Sequence, residues 1–360
     1  MRLLCLDIGF GTQDVLFIDT SQTVENAIQL VLPSPTVLVA KKIKSATAHS
    51  ESLLLIGETM GGGACTRALK EHMEKGCTAY AVPAAALSFS DDLGEVGSWG
   101  IKLVSPDEAT RLKVDTIVRM GDIDLEVFQN ALSQWDIQLD PDVVAVAVQD
   151  HGTAPLGESQ RLSRFRHLES LIKHSNTLED LIFTSTDLPD YFTRMQAVVR
   201  SLKDTAPLVL MDTGAAAVLG ASLDRVVAAH PHRLVVNLGN SHTIAFLLIE
   251  SRILGLFEHH TGQLSLHKLE VLLEKLISGE LSLMEVWEDG GHGSLVLERG
   301  DNPFLVATGP RRSLLISSRL NTCLAAPFGN MMLAGCFGLA KAVSIKYNEW
   351  RGEIERAILT

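Results

Sequence analysis

The chain has 360 residues, of which 46% are hydrophobic and 21% are charged, a balance typical of folded domains rather than of disordered chains. Asp and Glu outnumber Lys and Arg by 43 to 31, so the formal net charge is −12. This acidity argues against sequence-independent binding to nucleic acid and against anionic membrane surfaces. It does not argue against a local nucleotide pocket. The length predicts about two domains.

Five cysteines are spread along the chain, at Cys5, Cys65, Cys77, Cys323 and Cys336. Their odd number and long gaps argue against a disulfide framework, and they form no CxxC or CxxxCxxC motif, which excludes the usual zinc-ribbon and radical iron–sulfur patterns. The sequence shows neither a secretory signal nor an apolar run of about 18 residues. We therefore expect a cytoplasmic protein that does not enter a membrane.

The first elements are two short apolar runs, 3–6 and 15–18, on either side of a glycine turn at 9–12. This pattern predicts two strands joined by a tight turn, and a third strand follows within 27–32. Residues 39–118 are predicted to be an insert. It contains a strand candidate at 53–56, a glycine-rich loop, a helix, and two further strand candidates at 80–89 and 101–104.

Two continuous apolar runs then predict buried strands, at 143–148 and 208–211. The first is followed by the segment 149–152, with the sequence Gln-Asp-His-Gly. The second ends at Asp212 and leads into a helix of small residues at 215–229. Polar residues that directly follow buried strands are candidates for a site, because sites in α/β sheets form at strand ends.

The opening pattern returns about 230 residues further along the chain. An apolar run at 234–238 leads into a glycine turn, and two more strand candidates follow at 244–249 and 253–257. A helix is predicted at 264–277, a strand at 304–308, and a second small-residue helix at 329–346. The sequence therefore predicts two α/β halves, each of which opens with a glycine hairpin.

Paired glycine hairpins suggest a phosphate held between them. Glycine lets the backbone approach a ligand closely, and turn amides beside a hydroxyl bind anionic oxygens. An acidic residue at a strand end can hold a divalent cation through water, and Asp7 has this position before the first turn. The alternative interpretation is an ordinary hairpin in which Asp7 and Gly9 only shape the turn.

Five segments in this order resemble the motifs of the actin, heat-shock chaperone and sugar-kinase superfamily. Residues 7–13 and 237–243 are similar to its two phosphate motifs, 212–220 and 333–340 to its connecting helices, and 307–310 to its adenosine motif. The resemblance implies an α/β fold with two ribonuclease H-like (actin-like ATPase) domains around a central cleft. Each domain would have a mixed five-stranded sheet flanked by helices.

The same resemblance implies a division into residues 1–205, with the insert near 39–118, and residues 206–360. It also implies Mg²⁺ and ATP as cofactors. Asp7 and Asp212 would be the catalytic and metal-binding carboxylates: Asp7 would position hydrated Mg²⁺, and Asp212 would orient or deprotonate the attacking group. Contacts to the nucleotide are expected from Gly9, Gly11, Thr12, Gln13, Gly239, Asn240, Ser241, His242, Gly309 and Arg311.

The substrate is expected to contact Gln149, Asp150 and His151, because this segment resembles the Gln-Met-His-Gly of xylulose kinases. We therefore expect a nucleotide-dependent phosphotransferase or ATPase close to carbohydrate kinases, with a nucleotide and a small molecule as its partners. A regulatory nucleotide-binding module is an alternative, since Asn237 replaces the aspartate of the chaperones and Pro310 interrupts the adenosine motif. A cleft rebuilt for a metal or a small organic acid is another.

The loop at 57–63 and the segment 150–152 carry a closer resemblance, to a prokaryotic family labelled as pyruvate formate-lyase activating. That label implies a radical iron–sulfur cluster on a CxxxCxxC motif, which this chain lacks. The sequence therefore favours phosphoryl-transfer chemistry over radical chemistry.

Five histidines fall in predicted loops or at strand ends, at His151, His242, His259, His260 and His292. If two or three of them converged, they would form a site for Zn²⁺, Fe²⁺ or Ni²⁺. The alternative is that each is an ordinary hydrogen-bonding residue. His259 and His260 are adjacent, so on a strand they would face opposite sides.

Overall fold

A computed structural model describes residues 1–155, 157–173, 175–203 and 205–359 of the chain. The strands are β1 (Arg2–Ile8), β2 (Thr12–Asp19), β3 (Ile28–Pro33), β4 (Leu53–Gly57), β5 (Ala79–Ala81), β6 (Lys102–Leu103), β7 (Thr116–Met120), β8 (Val143–Val148), β9 (Ile182–Thr184), β10 (Leu208–Met211), β11 (His232–Leu238), β12 (His242–Ile249), β13 (Arg252–His260), β14 (Gly293–Val296), β15 (Phe304–Thr308) and β16 (Thr322–Leu324).

The α-helices are α1 (Pro35–Ala48), α2 (Ala64–Glu74), α3 (Pro83–Ala86), α4 (Leu93–Ser98), α5 (Pro106–Ala109), α6 (Leu125–Leu132), α7 (Gln160–Ile172), α8 (Thr193–Ser201), α9 (Thr213–Ala221), α10 (Arg225–Ala228), α11 (Leu266–Ser278), α12 (Leu283–Glu288), α13 (Ala334–Lys346) and α14 (Asn348–Leu359).

The first large sheet has the strand order β3-β2-β1-β8-β10-β9. Its first three strands form an antiparallel meander, and β8 and β10 then add in parallel on the other side of β1. The apolar runs that predicted buried strands are fully buried in β8 and β10. Because β10 belongs to this sheet, the first sheet extends a few residues past the predicted domain boundary at 205.

The second large sheet has the order β14-β13-β12-β11-β15-β16 and repeats the same plan. Again an antiparallel meander is followed by parallel strands beside its first member. The predicted duplication is therefore confirmed. Each sheet has six strands rather than the five expected, because β9 extends the first sheet at one edge and β14 extends the second at the other.

Helices α9 and α13 cross between the two sheets at positions where only glycine fits. A Cβ atom on Gly220 would lie 1.7 Å from the carbonyl oxygen of Ala334, and one on Gly338 would lie 1.9 Å from that of Ala216. Helix α13 comes from the C-terminal half but packs against β1 and β8 of the first sheet. Two ribonuclease H-like domains joined in this way confirm the predicted actin-like ATPase fold.

The predicted insert forms a separate layer with its own core. Strands β4 to β7 form a parallel sheet in the order β6-β5-β4-β7, and helices α1 and α2 pack together beside it. The strands expected at 80–89 and 101–104 shrink to β5 and β6, because Pro83 starts helix α3 directly after β5. No helix in the described part of the chain is long and apolar enough to cross a membrane.

Candidate functional site

A cleft of about 500 Å³ lies between the two large sheets and the insert. Its walls include both glycine hairpins, the ends of β8 and β10, and the glycine-rich loop at 61–63 of the insert. That volume is in the usual range for small-molecule and cofactor sites. Ligands of open α/β sheets also bind where parallel strands end. The cleft is therefore the principal candidate site.

The two glycine hairpins have the same turn geometry and meet at one end of the cleft. The amide of Gly9 donates to the carbonyl of Thr12, and the amide of Gly239 donates to that of His242, each over 2.9 Å. A Cβ atom on Gly11 would lie 2.7 Å from the side-chain nitrogen of Asn240. Glycine at position 11 therefore allows the tips to approach each other, as a shared phosphate site requires.

Asp7 lies at the base of the first hairpin, buried against the first turns of α9 and α13. One carboxylate oxygen accepts a hydrogen bond from the hydroxyl of Thr213, and a Cβ atom on Gly335 would lie 1.9 Å from the other. Burial raises the pKa of Asp7 to about 7, against the effect of the Thr213 hydrogen bond, and repulsion from Asp212 adds to the rise. A cation beside Asp7 would favour its ionised form.

A second buried carboxyl group, Asp14, lies directly across the hairpin from Asp7 in the β1–β2 register. Burial and then repulsion from Asp7 raise the pKa of Asp14 to about 8, and its Oδ1 atom is buried without a hydrogen-bond partner. Two buried carboxyl groups with an unpartnered oxygen between the hairpin and the cleft fit a divalent cation, which takes oxygen ligands. Together with the glycine hairpins, they fit the implied Mg²⁺ and nucleotide.

Asp212 begins helix α9 and is held by two contacts. Its Oδ1 atom accepts from the amide of Gly214 over 2.9 Å, which caps the helix, and its Oδ2 atom lies 2.9 Å from a guanidinium nitrogen of Arg164. Burial raises the pKa of Asp212, and the positive charge of Arg164 opposes this rise. Asp212 lines the cleft, and its Oδ2 atom has the ion pair with Arg164 but no hydrogen-bond partner.

Arg164 connects the two halves of the molecule through buried charges. Its Nε atom lies 2.6 Å from Glu258 of the second sheet, and another of its nitrogens donates to the carbonyl of Asp150 over 2.7 Å. Burial alone would raise the pKa of Glu258, but Arg164 and the nearby histidines hold it well below the usual range. Glu258 is therefore a fixed negative charge on the cleft wall.

The segment after β8 contributes three side chains with different roles. The Gln149 amide donates to Glu258 across the cleft, and the ring of His151 stacks on that of His292 at 5.0 Å. Asp150 instead accepts from the amides of Gly152 and Met195, so its carboxylate shapes the loop and the start of α8. Only Gln149 and His151 of the three reach the second half of the molecule.

Four histidine rings gather beside Glu258. His242 lies 4.8 Å from His292 and 4.9 Å from His260, and His151 is 6.1 Å from His242, all measured between ring centroids. Burial lowers the pKa of His242 to about 4 and that of His292 to about 3. These imidazoles are therefore neutral at physiological pH, the form that binds metal ions. His259, as expected, faces the other side of β13 and contacts Asp289 over 3.0 Å.

Some of the residues expected to contact a nucleotide lie outside this arrangement. The Gln13 side chain donates to the carbonyl of Pro33 on the neighbouring strand. Arg311 is exposed, and neither Arg311 nor Gly11 is part of the cleft wall. Gly9, Thr12, Gly239, Asn240, Ser241, His242 and Gly309 all line the cleft. Gly309 has a φ of +90° and packs against the backbone of Leu238.

Three charged residues of the candidate site were not predicted from the sequence: Asp14, Arg164 and Glu258. Asp14 directly precedes, and Glu258 directly follows, the apolar run of its strand. A charge at such a position is a recognisable signal because burial of an isolated charge is costly. Arg164 gives no such signal, since α7 contains several other charged residues. Only the fold shows that Arg164 is 2% exposed.

Comparison with solved structures finds similar chains over almost the whole length. The activator of 2-hydroxyisocaproyl-CoA dehydratase from Clostridium difficile with bound ADPNP is 11% identical, with 98% of each chain covered and a TM-score of 0.34. MreB5 of Spiroplasma citri bound to ADP is 10% identical over 98% of each chain, also with a TM-score of 0.34. The ethanolamine utilization protein EutJ from Carboxydothermus hydrogenoformans is 9% identical over 94% of this chain and 89% of its own, with a TM-score of 0.32.

No curated protein matches the sequence. One family model matches residues 60–314 and is described as "Putative pyruvate format-lyase activating enzyme (DUF1786)". The matched region extends from the glycine-rich loop of the insert to the turn after β15, and it includes Asp212, Glu258 and the four clustered histidines. The chain therefore belongs to this family.

Proposed function

We propose that the cleft binds a magnesium nucleoside triphosphate, with its terminal phosphates between the two glycine hairpins, and that the protein is a phosphotransferase or an ATPase. The observation that carries this proposal is the meeting of the hairpins, in which Gly11 lies against the side chain of Asn240. The two equivalent glycine turns, one from each sheet, would therefore contact the same phosphates, and Asp7 lies at the base of the first turn.

The hairpins supply the groups that a polyphosphate needs. The hydroxyl-bearing residues Thr12 and Ser241 both line the cleft next to the turns. Glycine turns let a ligand approach the backbone closely, and backbone amides in such turns bind anionic oxygens. The side chain of Asn240 adds an amide donor at the point of contact. Catalysis of phosphoryl transfer depends mainly on such positioning and on electrostatic stabilisation.

Asp7 and Asp14 would hold the metal ion beside the phosphates. When bound, Mg²⁺ would neutralise part of the phosphate charge. Asp7 is kept in place by Thr213 and by the first turn of α13, so its carboxylate needs no rearrangement to meet a hydrated cation. Negative charge near the start of a helix is also favoured by the helix dipole.

Asp212 is suited to orient an attacking hydroxyl group or water. Its two oxygens are fixed by Gly214 and Arg164, yet each carboxylate oxygen has a second lone pair that can accept from a ligand. The positive charge of Arg164 opposes the rise in the pKa of Asp212 that burial causes, and so favours the ionised, hydrogen-bond-accepting form. His151 and Gln149 lie on the same wall, where the acceptor would be bound. The proposed role of Asp212 is thus to position the acceptor, with proton transfer as a secondary task.

The test measures Mg·ATP binding by calorimetry and phosphate release by a coupled assay. Wild type is compared with Asp7→Asn and with Asp301→Asn, an exposed carboxylate that serves as the matched control. We expect one saturable site per chain in wild type and in D301N, and binding weakened at least about tenfold in D7N, a loss of about 1.4 kcal/mol.

Two results would contradict the proposal: no binding at millimolar nucleotide, or equal binding by D7N and D301N. Nucleotide binding without hydrolysis, and without phosphoryl transfer to any small acceptor, would support a regulatory nucleotide-binding module instead of an enzyme.

A further inference from the structure

We propose that the protein binds one divalent transition-metal ion through His151, His242 and His292, with Glu258 as the fourth ligand. His151, His242 and Glu258 lie on the cleft wall, His292 is buried behind it, and all four are distinct from the carboxyl pair of Asp7 and Asp14. The proposed metal ligands differ from the proposed magnesium ligands Asp7 and Asp14, although His242 also ends the second glycine turn, so the two proposals can be tested separately.

The four side chains offer donor atoms at suitable separations. One ligand atom from each lies within 4.8 Å of every other. A tetrahedral site with bonds of about 2.05 Å needs donors about 3.3 Å apart. Small side-chain rotations would close the remaining distance. Among the described residues, this is the one group of three or more His, Cys, Asp or Glu side chains with this spacing.

Unpartnered ring nitrogens are an independent sign that a ligand belongs here. His292 is 1% exposed, yet its Nδ1 atom has no hydrogen-bond partner, and the Nε2 atom of His151 is also buried without one. Leaving a buried polar atom unpaired costs about 1–3 kcal/mol. A metal ion bound to these nitrogens would remove that cost.

The surrounding contacts hold the ligands in place. Glu258 is fixed by Arg164 at 2.6 Å and by the amide of Gln149, and its backbone carbonyl accepts from the amide of His292 over 2.9 Å. His242 and His260 face each other across the β12–β13 register. Hydrogen bonds of this kind around the ligands tune both metal affinity and ligand orientation.

Three imidazoles and one carboxylate define the class of ion. Nitrogen-rich sites favour Zn²⁺, Fe²⁺ and related first-row ions, whereas Mg²⁺ and Ca²⁺ prefer oxygen ligands. His151 comes from the first half of the molecule, and the other three ligands come from the second. A bound ion would therefore join the two halves of the molecule.

The test uses the full-length protein, stripped with EDTA and titrated separately with Zn²⁺, Co²⁺, Fe²⁺ under anaerobic conditions, and Mg²⁺. Calorimetry gives the stoichiometry and affinity, and Co²⁺ absorption reports the coordination geometry. We expect one equivalent of transition metal, no competition from Mg²⁺, and a higher melting temperature in the bound state by mass action.

Variants decide whether these histidines are the ligands. His292→Gln and His242→Asn should each lose at least about tenfold in affinity, whereas His267→Ala, an exposed histidine on α11, should bind as wild type does. His151→Asn, at a half-buried position, provides a further ligand variant if the other two fail to fold. Asp7→Asn should keep the metal, which separates this proposal from the nucleotide site.

The proposal is overturned if wild type binds far less than one equivalent. It is also overturned if a folded ligand variant binds the metal as tightly as H267A does.

Discussion

Replacing Arg164 with methionine, R164M, should strongly destabilise the protein at neutral pH. The substitution keeps an unbranched apolar stem but removes the guanidinium group that lies between Glu258 and Asp212. In wild type, Arg164 contacts these carboxylates at 2.6 and 2.9 Å and is almost completely buried. Without it, two buried negative charges would remain with no cation in contact.

The size of the effect follows from burial. Removing one partner of a buried ion pair costs about 3–5 kcal/mol, because the other charge is left without compensation. Arg164 has two such partners and also donates to the Asp150 carbonyl, so we expect about 4–5 kcal/mol. At about 2–4 °C for each kcal/mol in large domains, the melting temperature should fall by roughly 8–20 °C.

The loss of stability in R164M should depend on pH in a defined direction. In wild type the pKa of Glu258 is depressed, so the ionised carboxylate stabilises the fold at pH values above its ordinary pKa of 4.5. This stabilisation is lost as the pH falls further. In R164M the largest opposing charge is gone, so burial raises the pKa of both carboxyl groups above their wild-type values. Carboxyl groups with a raised pKa destabilise the fold most at high pH. The difference between R164M and wild type should therefore shrink from pH 8 to pH 5.

Urea denaturation followed by circular dichroism at pH 8 and pH 5 measures both effects. Arg166→Met is the matched control, since Arg166 lies on the same helix but forms an exposed ion pair with Glu158. Its loss should stay below about 1 kcal/mol. The reasoning is refuted if R164M and R166M are equally stable, or if the cost of R164M is the same at both pH values.

Asp14→Asn should increase the free energy of unfolding at pH 8 by roughly 2–4 kcal/mol in the absence of Mg²⁺. The reason is that burial raises the pKa of Asp14 to about 8 and that of Asp7 to about 7. Both groups therefore destabilise the wild-type fold as the pH rises. Denaturation curves at pH 5 and pH 8 would count against this if the wild-type and D14N curves kept a constant separation. Gly220→Ala should cost at least about 3 kcal/mol, because its Cβ atom would lie 1.7 Å from the Ala334 carbonyl oxygen. Gly97→Ala is the control, since no atom lies within 4 Å of the added Cβ. This variant should be neutral or stabilising by up to about 1 kcal/mol. Equal melting temperatures for the two variants would contradict the tight helix crossing.

The sequence predicted the parts of the fold that depend on local pattern. The turn at 9–12 and its repeat after β11 were visible because glycine and strand periodicity act over a few residues. The edge strands β9, β14 and β16 have only three or four residues. They depend on a neighbouring strand, so local patterns could not identify them.

The candidate site was only partly predictable, because its chemistry depends on long-range contacts. Asp7 and Asp212 could be selected from their positions at strand ends, but the pairing of Asp212 with Arg164 joins residues 48 positions apart. The gathering of the histidines depends on how β8, β12 and the loop before β14 are placed in space. Before the fold was known, the sequence could name His151, His242 and His292 as candidates but could not show that they converge.

A crystal structure of the protein grown with magnesium and a non-hydrolysable ATP analogue would test the central claim most directly. The account predicts density for the terminal phosphates between the Gly9–Thr12 and Gly239–His242 turns, with the cation beside Asp7. An analogue bound elsewhere, or a cleft that remains empty at saturating analogue while the hairpins stay in contact through Gly11 and Asn240, would contradict it.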